Sequence, residues 1–263
     1  MLSFIRKRVL RIYPALIVII LVAVFIVGPF FTNLKDWDYF RIPTTWLYLL
    51  TVSGLHIKYI LPGVFTSDLH FDHGINGSLW SIALELKLYI LLIGFGLVNK
   101  RRKLWGNVMP MVLALVLAFF VNENILFLAS YFDALHCRLM AIFFMGYTAN
   151  AYHDRLQLSW IWLVVISLIY FVSMRYVTSA RFITETMFFG YATLFISYRV
   201  KLFKPDMDIS YGVYLYSFLI TQIIIEVLRI NNPLYLIMVV GIVVLPLSIL
   251  SWLFIEKKAL AHK

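Results

Sequence analysis

The chain has 263 residues, of which 62% are hydrophobic and only 14% are charged. A soluble domain carries about 25% charged residues, so this composition excludes an ordinary soluble fold and indicates a polytopic helical membrane protein. The net charge of +10 does not point to a nucleic-acid partner, because the basic residues cluster in short loops between apolar runs. The single Cys137 excludes an internal disulfide and a cysteine-rich metal site.

Eight apolar runs are long enough to cross a bilayer as helices, so we predict an all-α transmembrane bundle forming a single domain over residues 1–263. The predicted spans are residues 9–31, 79–98, 105–121, 132–151, 158–177, 183–199, 209–229 and 234–255. Residues 43–62 are also apolar, but prolines, a glycine, a histidine and a lysine interrupt them. We interpret this stretch as a re-entrant or interfacial segment rather than a ninth span.

The loops between the spans alternate in their content of lysine and arginine. With the N-terminus in the cytoplasm, the inner loops receive most of the basic residues, including KRRK at 100–103. The positive-inside rule therefore predicts that both termini are cytoplasmic. A ninth span at 43–62 would place KRRK outside and remove this asymmetry.

Glu85 is an ionisable residue inside the second predicted span, where a charge costs about 3 kcal/mol or more. Ser81, Glu85 and Tyr89 follow one another at intervals of four residues, so they share one face of a helix. Lys87 lies on another face and is long enough to reach the outer interface. Glu85 needs an interior partner or a wet cavity, which makes it the stronger functional candidate.

Two further ionisable residues, His136 and Arg138, lie at similar depth in the fourth predicted span. In a purely structural alternative, Arg138 pairs with Glu85 and locks helix packing without any chemistry. A single intramembrane histidine is more often a satisfied packing residue than a functional one. Both alternatives stay open from the sequence.

Arg8 and Arg11 stand three residues apart at the start of the first span, so they point to the same side of a helix. A topology signal is one explanation for them. Two guanidinium groups at the cytoplasmic mouth of a bundle are also suited to grip phosphates in a bidentate way.

Four stretches, in this order, resemble motifs of the family-3 membrane acyltransferases, which include O-acetyltransferases of bacterial surface polysaccharides. Each motif is weak alone, but the ordered set covers nearly the whole chain. The matching residues are Arg8, Arg11 and Pro14 for the basic motif R-x-x-R-x-x-P, Trp80, Ser81, Glu85 and Tyr89 for W-S-x-x-x-E-x-x-x-Y, Ser210 and Tyr211 for S-Y-x-x-Y-L, and Glu256 for the closing segment.

The resemblance implies transfer of an acyl group, acetyl in the first instance, from acetyl-CoA or another acyl-CoA to a hydroxyl of a cell-surface glycan or lipid-linked sugar. It also implies residence in the bacterial inner membrane, with no bound cofactor and no metal. Arg8 and Arg11 are expected to serve the acyl donor, and Glu85 and His136 are the catalytic candidates. The residues expected to shape the site or contact the acceptor are Trp80, Ser81, Tyr89, Arg138, Ser210 and Tyr211. The oligomeric state is left open.

The family's usual architecture has ten spans, with a catalytic histidine in the first, about two helices before the basic motif. This sequence begins at the basic motif, so we expect an N-terminally truncated form that lacks two spans and that histidine. Ser217 stands where many relatives carry a histidine, and His136 replaces the base only if it reaches the acceptor.

Three alternatives therefore stay open beside an active enzyme. The first is a short form without activity. The second is a transporter or flippase for a glycan or its precursor, and the third is a non-catalytic membrane subunit. In the transporter alternative, the residues that line a polar pathway are Glu85, Arg138, Glu185 and Glu226.

Overall fold

The computed structural model describes residues 2–35, 37–67, 74–98, 104–122, 134–200, 207–230 and 232–261. Helices dominate these residues, and the only strand-like pairing among them is an isolated bridge between Thr32 and Val64. The prediction of an all-α fold is therefore confirmed.

Within the described ranges, eight helices have 17 residues or more. They are α1 (Leu2–Phe31), α2 (Trp80–Val98), α3 (Leu104–Asn122), α4 (Ala134–Ala151), α5 (Trp160–Tyr176), α6 (Thr178–Arg199), α7 (Ser210–Leu228) and α8 (Pro233–Leu260). They correspond, in order, to the eight predicted spans.

Four of these helices are long and apolar enough to cross a membrane: α1, α2, α7 and α8. Shorter apolar helices cover Asn107–Val121 in α3 and Trp160–Tyr176, which is all of α5. Charged and threonine side chains along α6 lower its hydropathy, and α4 carries an arginine and a histidine in its first turns. A chain with this set of helices is a membrane protein, as its composition indicated.

The connection between α1 and α2 contains only short elements in its described part. Helical turns cover Asp38–Arg41, Pro43–Leu47 and Tyr48–Ser53, and Gly54, at a φ of 68°, ends the last of them in the left-handed region. No helix of spanning length occurs within 43–62, which agrees with the prediction against a ninth crossing.

The chain divides into two compact units. The first unit contains residues 1–87 and 205–263, and the second contains residues 88–204. In the first unit α7 packs against α8 and α1 contacts both of them. In the second unit α3 packs on α4, α5 on α6, and α4 on α6. The prediction of one domain over the whole chain stays a prediction.

The second unit has an apolar core of small and aromatic side chains. Ala118, Val121, Cys137 and Phe182 are each less than 5% exposed and form one cluster. The polar Asn107 is also buried, and it is satisfied because Tyr147 and Thr148 of α4 donate hydrogen bonds to it at 3.2 and 2.9 Å. This unit is built as a packed helical scaffold.

Two of the spanning helices in the first unit contain a π-helical turn. These turns cover Ala23–Val27 in α1 and Trp252–Glu256 in α8. A π turn inserts an extra residue into a helix and is frequent at functional sites. In α8 the turn directs the carboxyl group of Glu256 inward, where it is only 4% exposed.

Candidate functional site

The basic motif of α1 meets the start of α7 through an ion pair. Nη2 of Arg11 donates to Oδ2 of Asp208 at 2.8 Å, and both side chains are somewhat more than one-third exposed. The hydroxyl of Ser210 donates to the other carboxylate oxygen of Asp208 at 2.6 Å. Asp208 thus joins two predicted site residues, Arg11 and Ser210, that are 199 positions apart in the sequence.

Sequence reasoning missed Asp208. The available signal was weak: an acidic residue two positions before the S-Y motif, at the end of a basic loop and the start of a span. An acidic group at that position stabilises the N-terminal end of α7 through the helix dipole, in addition to binding Arg11.

The ionisation of Asp208 follows from these contacts. The hydrogen bond from Ser210 lowers the pKa of Asp208, partial burial opposes that shift, and the hydrogen bond and charge of Arg11 lower it further, so the net pKa lies below the usual value. Because its pKa is lowered, Asp208 is fully ionised above the ordinary aspartate pKa. The ion pair with Arg11 is lost only as the pH falls through the lowered pKa.

We therefore expect Asp208→Asn to lower stability by the same amount at pH 6, 7 and 8. For a pair this exposed the loss is about 1 kcal/mol or less. Thermal unfolding of purified wild-type and variant protein at the three pH values provides the measurement. A difference in midpoint that shrinks towards pH 6 would contradict an aspartate that is already ionised there.

The second residue of the S-Y motif holds α7 directly against α1. The hydroxyl of Tyr211 donates to the backbone carbonyl of Ile12 at 2.8 Å, immediately after Arg11 in the chain. The phenol also lies within electrostatic reach of two carboxylates, Glu256 and Glu85. Tyr211 therefore ties α7 to α1, and the charges of Glu256 on α8 and Glu85 on α2 act on its phenol.

The start of α2 is attached to α7 by a chain of hydrogen bonds. The hydroxyl of Tyr214 donates to the carbonyl of Ser78, so its single proton is used and the contact with Ser81 is a bond donated by the serine. Asn76 donates to the carbonyl of Leu215 at 2.8 Å and accepts from the Ser78 hydroxyl at 2.6 Å. These bonds fix the W-S-x-x-x-E segment against the second turn of α7.

Glu85 follows Ser81 by one helical turn, and its carboxylate is close enough to act electrostatically on both Tyr211 and Tyr214. The family resemblance listed Ser81 and Glu85, together with Ser210 and Tyr211, among the residues expected at the site. The structure places these residues in one cluster of the first unit.

Glu256 belongs to the same cluster, although it was singled out only as a motif match. One oxygen of its buried carboxyl group accepts a hydrogen bond from Ser251 at 2.9 Å, and Tyr216 in turn donates to Ser251 at 3.1 Å. The charge of Arg11 also acts on Glu256. The basic motif and the closing segment of the chain therefore face each other in the first unit.

A cavity of about 400 Å³ lies beside α7 in the same unit. Hydroxyl groups line part of its wall, and Phe218, Gln222 and Ile225 line much of the rest. The hydroxyl-bearing residues are Ser78, Tyr214, Ser217 and Thr221. Ser217 is thus a wall residue of this cavity.

Not every predicted site residue joins this cluster. The guanidinium of Arg8 lies over the ring of Phe4, 5.4 Å from its centroid, whereas Arg11 binds Asp208. Trp80 opens α2 next to Ser81 and is partly buried. Tyr89 belongs to the second unit, where it is 7% exposed and packs against the ring of Phe143 at 6.0 Å between centroids. The expected face of Ser81, Glu85 and Tyr89 is therefore divided between the two units.

His136 and Arg138 also belong to the second unit. Nη1 of Arg138 donates to Oε1 of Glu185 at 2.8 Å, and its guanidinium lies 4.8 Å from the centroid of the Phe182 ring. The side chains of Arg138 and Glu185 are 25% and 17% exposed. Arg138 and Glu185 thus form an ion pair that packs α4 against α6, and the carboxylate that binds Arg138 is that of Glu185.

We expect Glu185→Gln to destabilise the protein by about 1–3 kcal/mol, a value between those of exposed and buried ion pairs, because the Arg138 charge loses its partner. Asp38→Asn is the matched control, since the pair of Asp38 with Arg41 is 3.2 Å long and largely exposed. Thermal unfolding should show a lower midpoint for Glu185→Gln only. If both variants had the same thermal unfolding midpoint, the pair of Arg138 with Glu185 would have no structural role.

Among the residues that the structure describes, no group of three or more histidine, cysteine, aspartate or glutamate side chains is placed to hold a metal ion. The polar groups that do converge are a guanidinium, three carboxyl groups and several hydroxyls. Such a set can bind a phosphate-bearing ligand and can move a proton to or from a hydroxyl.

Comparison with known proteins identifies the family of this chain. The family described as an acyltransferase domain matches residues 1–253. An O-acetyl transferase of Shigella phage Sf6 is 31% identical over 266 residues, which cover 99% of this chain and 78% of that protein. Nodulation protein 10 of Rhizobium leguminosarum bv. viciae is 29% identical over 286 residues, covering 98% and 75%. No solved structure matches the chain. Because the match extends over almost the whole sequence, this chain belongs to the family-3 acyltransferases.

Proposed function

We propose that the protein transfers an acetyl group from acetyl-CoA, or a related acyl group from its CoA thioester, to a hydroxyl of a cell-surface glycan or lipid-linked sugar. The observation that carries this proposal is the convergence of Arg11, Asp208, Ser210 and Tyr211 at the point where α1 meets α7. The membership in an acyltransferase family supports the reaction class.

Arg11 is assigned to the acyl donor. Coenzyme A carries several phosphates, and a guanidinium has five N–H donors in a planar fork that suits them. The bond to Asp208 uses one of these donors and fixes the plane of the fork. Arg8, one helical turn earlier, adds positive charge to the same end of α1.

The acceptor hydroxyl attacks the thioester carbonyl, the new C–O ester bond forms, and the C–S bond breaks. The hydroxyl proton must leave the oxygen, and the released CoA thiolate takes up a proton, so the reaction needs no other reagent. We assign Glu85 to proton transfer because it follows Ser81, which bonds to Tyr214, by one helical turn, and because its charge acts on the hydroxyls of Tyr211 and Tyr214. His136 stays a second candidate for that role.

The proposed location follows the loop charges. The protein would lie in the bacterial inner membrane with both termini in the cytoplasm, because the positive-inside rule places the basic loops there. Arg11 then stands at the cytoplasmic ends of α1 and α7, where a soluble CoA thioester is available.

The test is transfer of radiolabelled acetyl from acetyl-CoA to surface polysaccharide and lipid-linked saccharides in membranes that contain this chain. Alkali-labile label in the saccharide fraction, absent without the chain, is the expected result. Export of unmodified saccharide without label would favour the transporter alternative. Label that appears only when a segment is added before residue 1 would keep the reaction and overturn activity of the 263-residue form.

A further inference from the structure

We propose that the tip of a segment that folds back along α1 sets the spacing between Arg11 on α1 and Glu85 on α2. The segment covers residues 38–64, and we call it the re-entrant segment. Its tip is formed by Ser53 and Gly54, which act as positioning residues and lie outside the four motifs. The inference rests on the proposed acyl transfer and is carried by the contacts of the segment with α1 and α2.

Both arms of the re-entrant segment start at the last turns of α1. On the returning arm Val64 pairs with Thr32, which follows the last residue of α1, and Thr32 donates to the carbonyl of Pro62 at 2.9 Å. On the other arm the hydroxyl of Tyr39 donates to the carbonyl of Val24, in the π turn, at 3.0 Å. These bonds fix the two ends of the segment.

The tip lies much further back along α1, at the level of Arg11. The hydroxyl of Tyr13 donates to the carbonyl of Ser53 at 2.9 Å. Tyr13 stands 19 residues before Thr32, which corresponds to about 28 Å of helix. Since Tyr13 comes two residues after Arg11, the segment runs along most of α1 and turns beside the donor arginine.

Local hydrogen bonds hold the shape of the tip. Gly54 adopts a φ of 68°, in the left-handed region that favours glycine. Its N–H donates to the carbonyl of Thr51 at 2.9 Å. The N–H of Lys58, on the returning arm, donates to the hydroxyl of the buried Thr51 at 3.0 Å. Thr51 thus joins the two arms directly behind the tip.

Gly54 is in contact with both α1 and α2. A Cβ atom at Gly54 would lie 2.3 Å from Cδ1 of Leu86 and 3.8 Å from Cδ2 of Leu16, so the backbone of the tip packs against both side chains. Leu86 follows Glu85 in α2, and Leu16 is a buried residue of α1. The tip therefore lies between the helix that carries Arg11 and the helix that carries Glu85.

The spacing of these two helices matters because the proposed reaction uses both. Arg11 holds the phosphates of the donor, and Glu85 takes the proton where the thioester meets the acceptor hydroxyl. Reacting atoms have to come within about 3–3.5 Å of each other, and an error of about 1 Å can lower a rate about 100-fold. Glycine at the tip allows the closest approach, and a larger side chain would push Leu86, and with it the turn that carries Glu85, away from the tip.

Gly54→Asn tests the inference, because asparagine tolerates a positive φ better than other side chains and is too large for the space beside Leu86. We expect the rate of acetyl transfer at saturating substrates to fall about 100-fold, with the KM for acetyl-CoA unchanged. Gly63→Asn is the matched control. Gly63 has a φ of 69° in the same segment, but a Cβ there would lie 2.3 Å from Oδ1 of Asn33, far from α2. It should keep the wild-type rate.

The double variant Gly54→Asn with Leu86→Ala separates positioning from a general loss of stability. Removal of the Leu86 side chain makes room for the asparagine, so we expect the double variant to transfer acetyl faster than Gly54→Asn alone. A purely structural role predicts the opposite, because two destabilising changes would then add. A wild-type rate in Gly54→Asn, or a double variant no faster than Gly54→Asn, would overturn the inference.

Cross-linking locates the tip without turnover. Tyr13→Cys with Ser53→Cys should be joined by a short bismaleimide, whereas Thr32→Cys with Ser53→Cys should not, because Thr32 lies about 28 Å further along α1. The native Cys137 is buried. The reverse pattern would place the tip at the far end of α1 and would overturn the inference. If the wild-type protein transfers no acetyl, the proposed function fails, and the cross-linking pattern still decides whether the tip lies beside Arg11.

Discussion

Arg11→Ala is expected to weaken acyl-donor binding by roughly 30- to 1,000-fold, because loss of a charged hydrogen-bonding partner of a phosphate costs about 2–4 kcal/mol. The effect should appear in the KM for acetyl-CoA. Arg11 is fixed by Asp208 at 2.8 Å, and Tyr211 holds the next residue of α1 at 2.8 Å, so the guanidinium is held in place before a donor arrives. A pre-positioned group contributes more to binding than a mobile one.

The change also leaves Asp208 without its cationic partner, so stability must be measured alongside activity. Arg11→Lys separates the two effects, because lysine keeps the positive charge near Asp208 but lacks the planar guanidinium group with its fork of N–H donors. We expect Arg11→Lys to retain the folded protein in the membrane while the donor KM still rises, by a smaller factor. Arg41→Ala, at an ion pair whose arginine side chain is 79% exposed, is the control and should change neither.

A donor KM that stays within twofold in both Arg11 variants would contradict the donor assignment. That result would leave Arg11 as a structural link between α1 and α7. The acetyl-CoA KM is therefore the deciding quantity, since a purely structural arginine would alter the amount of folded protein and leave that constant unchanged.

Hydropathy was sufficient to predict the helices because each apolar run has to satisfy its own backbone inside a membrane. The prediction of 209–229 for the seventh span differs by one residue at each end from Ser210–Leu228. Larger differences occur at the start of α6, which begins at Thr178 instead of residue 183, and at two helix ends that carry basic residues. These are α1, which begins at Leu2 instead of residue 9, and α8, which continues to Leu260 instead of residue 255. In both cases basic residues extend the helix past the apolar run, because arginine and lysine are good helix formers and no breaker intervenes.

The candidate residues were named in two ways. Arg11 and Glu85 were singled out by spacing and by charge inside a span, and Ser210 and Tyr211 by the family motif alone; the structure places all four in one unit. Asp208 and Asn76 were missed because their partners lie more than 100 positions away in the sequence. Tyr214 is the second tyrosine of the S-Y-x-x-Y-L motif but was not singled out as a site residue. Helical periodicity predicts which residues share one face of a helix. It does not predict which other helix packs against that face.

Tyr89 shows how periodicity can mislead. Its spacing from Ser81 and Glu85 correctly predicted one face of one helix. However, α2 passes from the first unit to the second between Lys87 and Leu88, so the later part of that face packs among different neighbours. The ring contact of Tyr89 with Phe143 follows from this division and could not be predicted from spacing alone.

Glu85→Gln is expected to lower the rate of acetyl transfer about 100-fold or more at saturating donor and acceptor, with little change in either KM. Glutamine has the same shape and preserves packing, but its amide cannot accept a proton from the sugar hydroxyl. General-base catalysis contributes about 100- to 10,000-fold in enzymes, which sets the expected size of the loss. The measurement is steady-state transfer of labelled acetyl by purified protein in nanodiscs, normalised to the amount of folded protein.

Lys87→Gln is the matched control, because it introduces the same amide on the same helix, two residues further on and about 200° around the axis. The side chain of Lys87 is exposed, and its replacement should leave the transfer rate unchanged. The pair of variants also distinguishes an acyltransferase from a transporter and from a non-catalytic subunit. In a transporter, Glu85→Gln would abolish saccharide flux in the absence of any acetylation, and in a non-catalytic subunit it would only weaken assembly with a partner. A wild-type transfer rate in Glu85→Gln would exclude proton transfer by this carboxylate, and the base would then have to be sought at His136 or in residues outside the cluster around Tyr211.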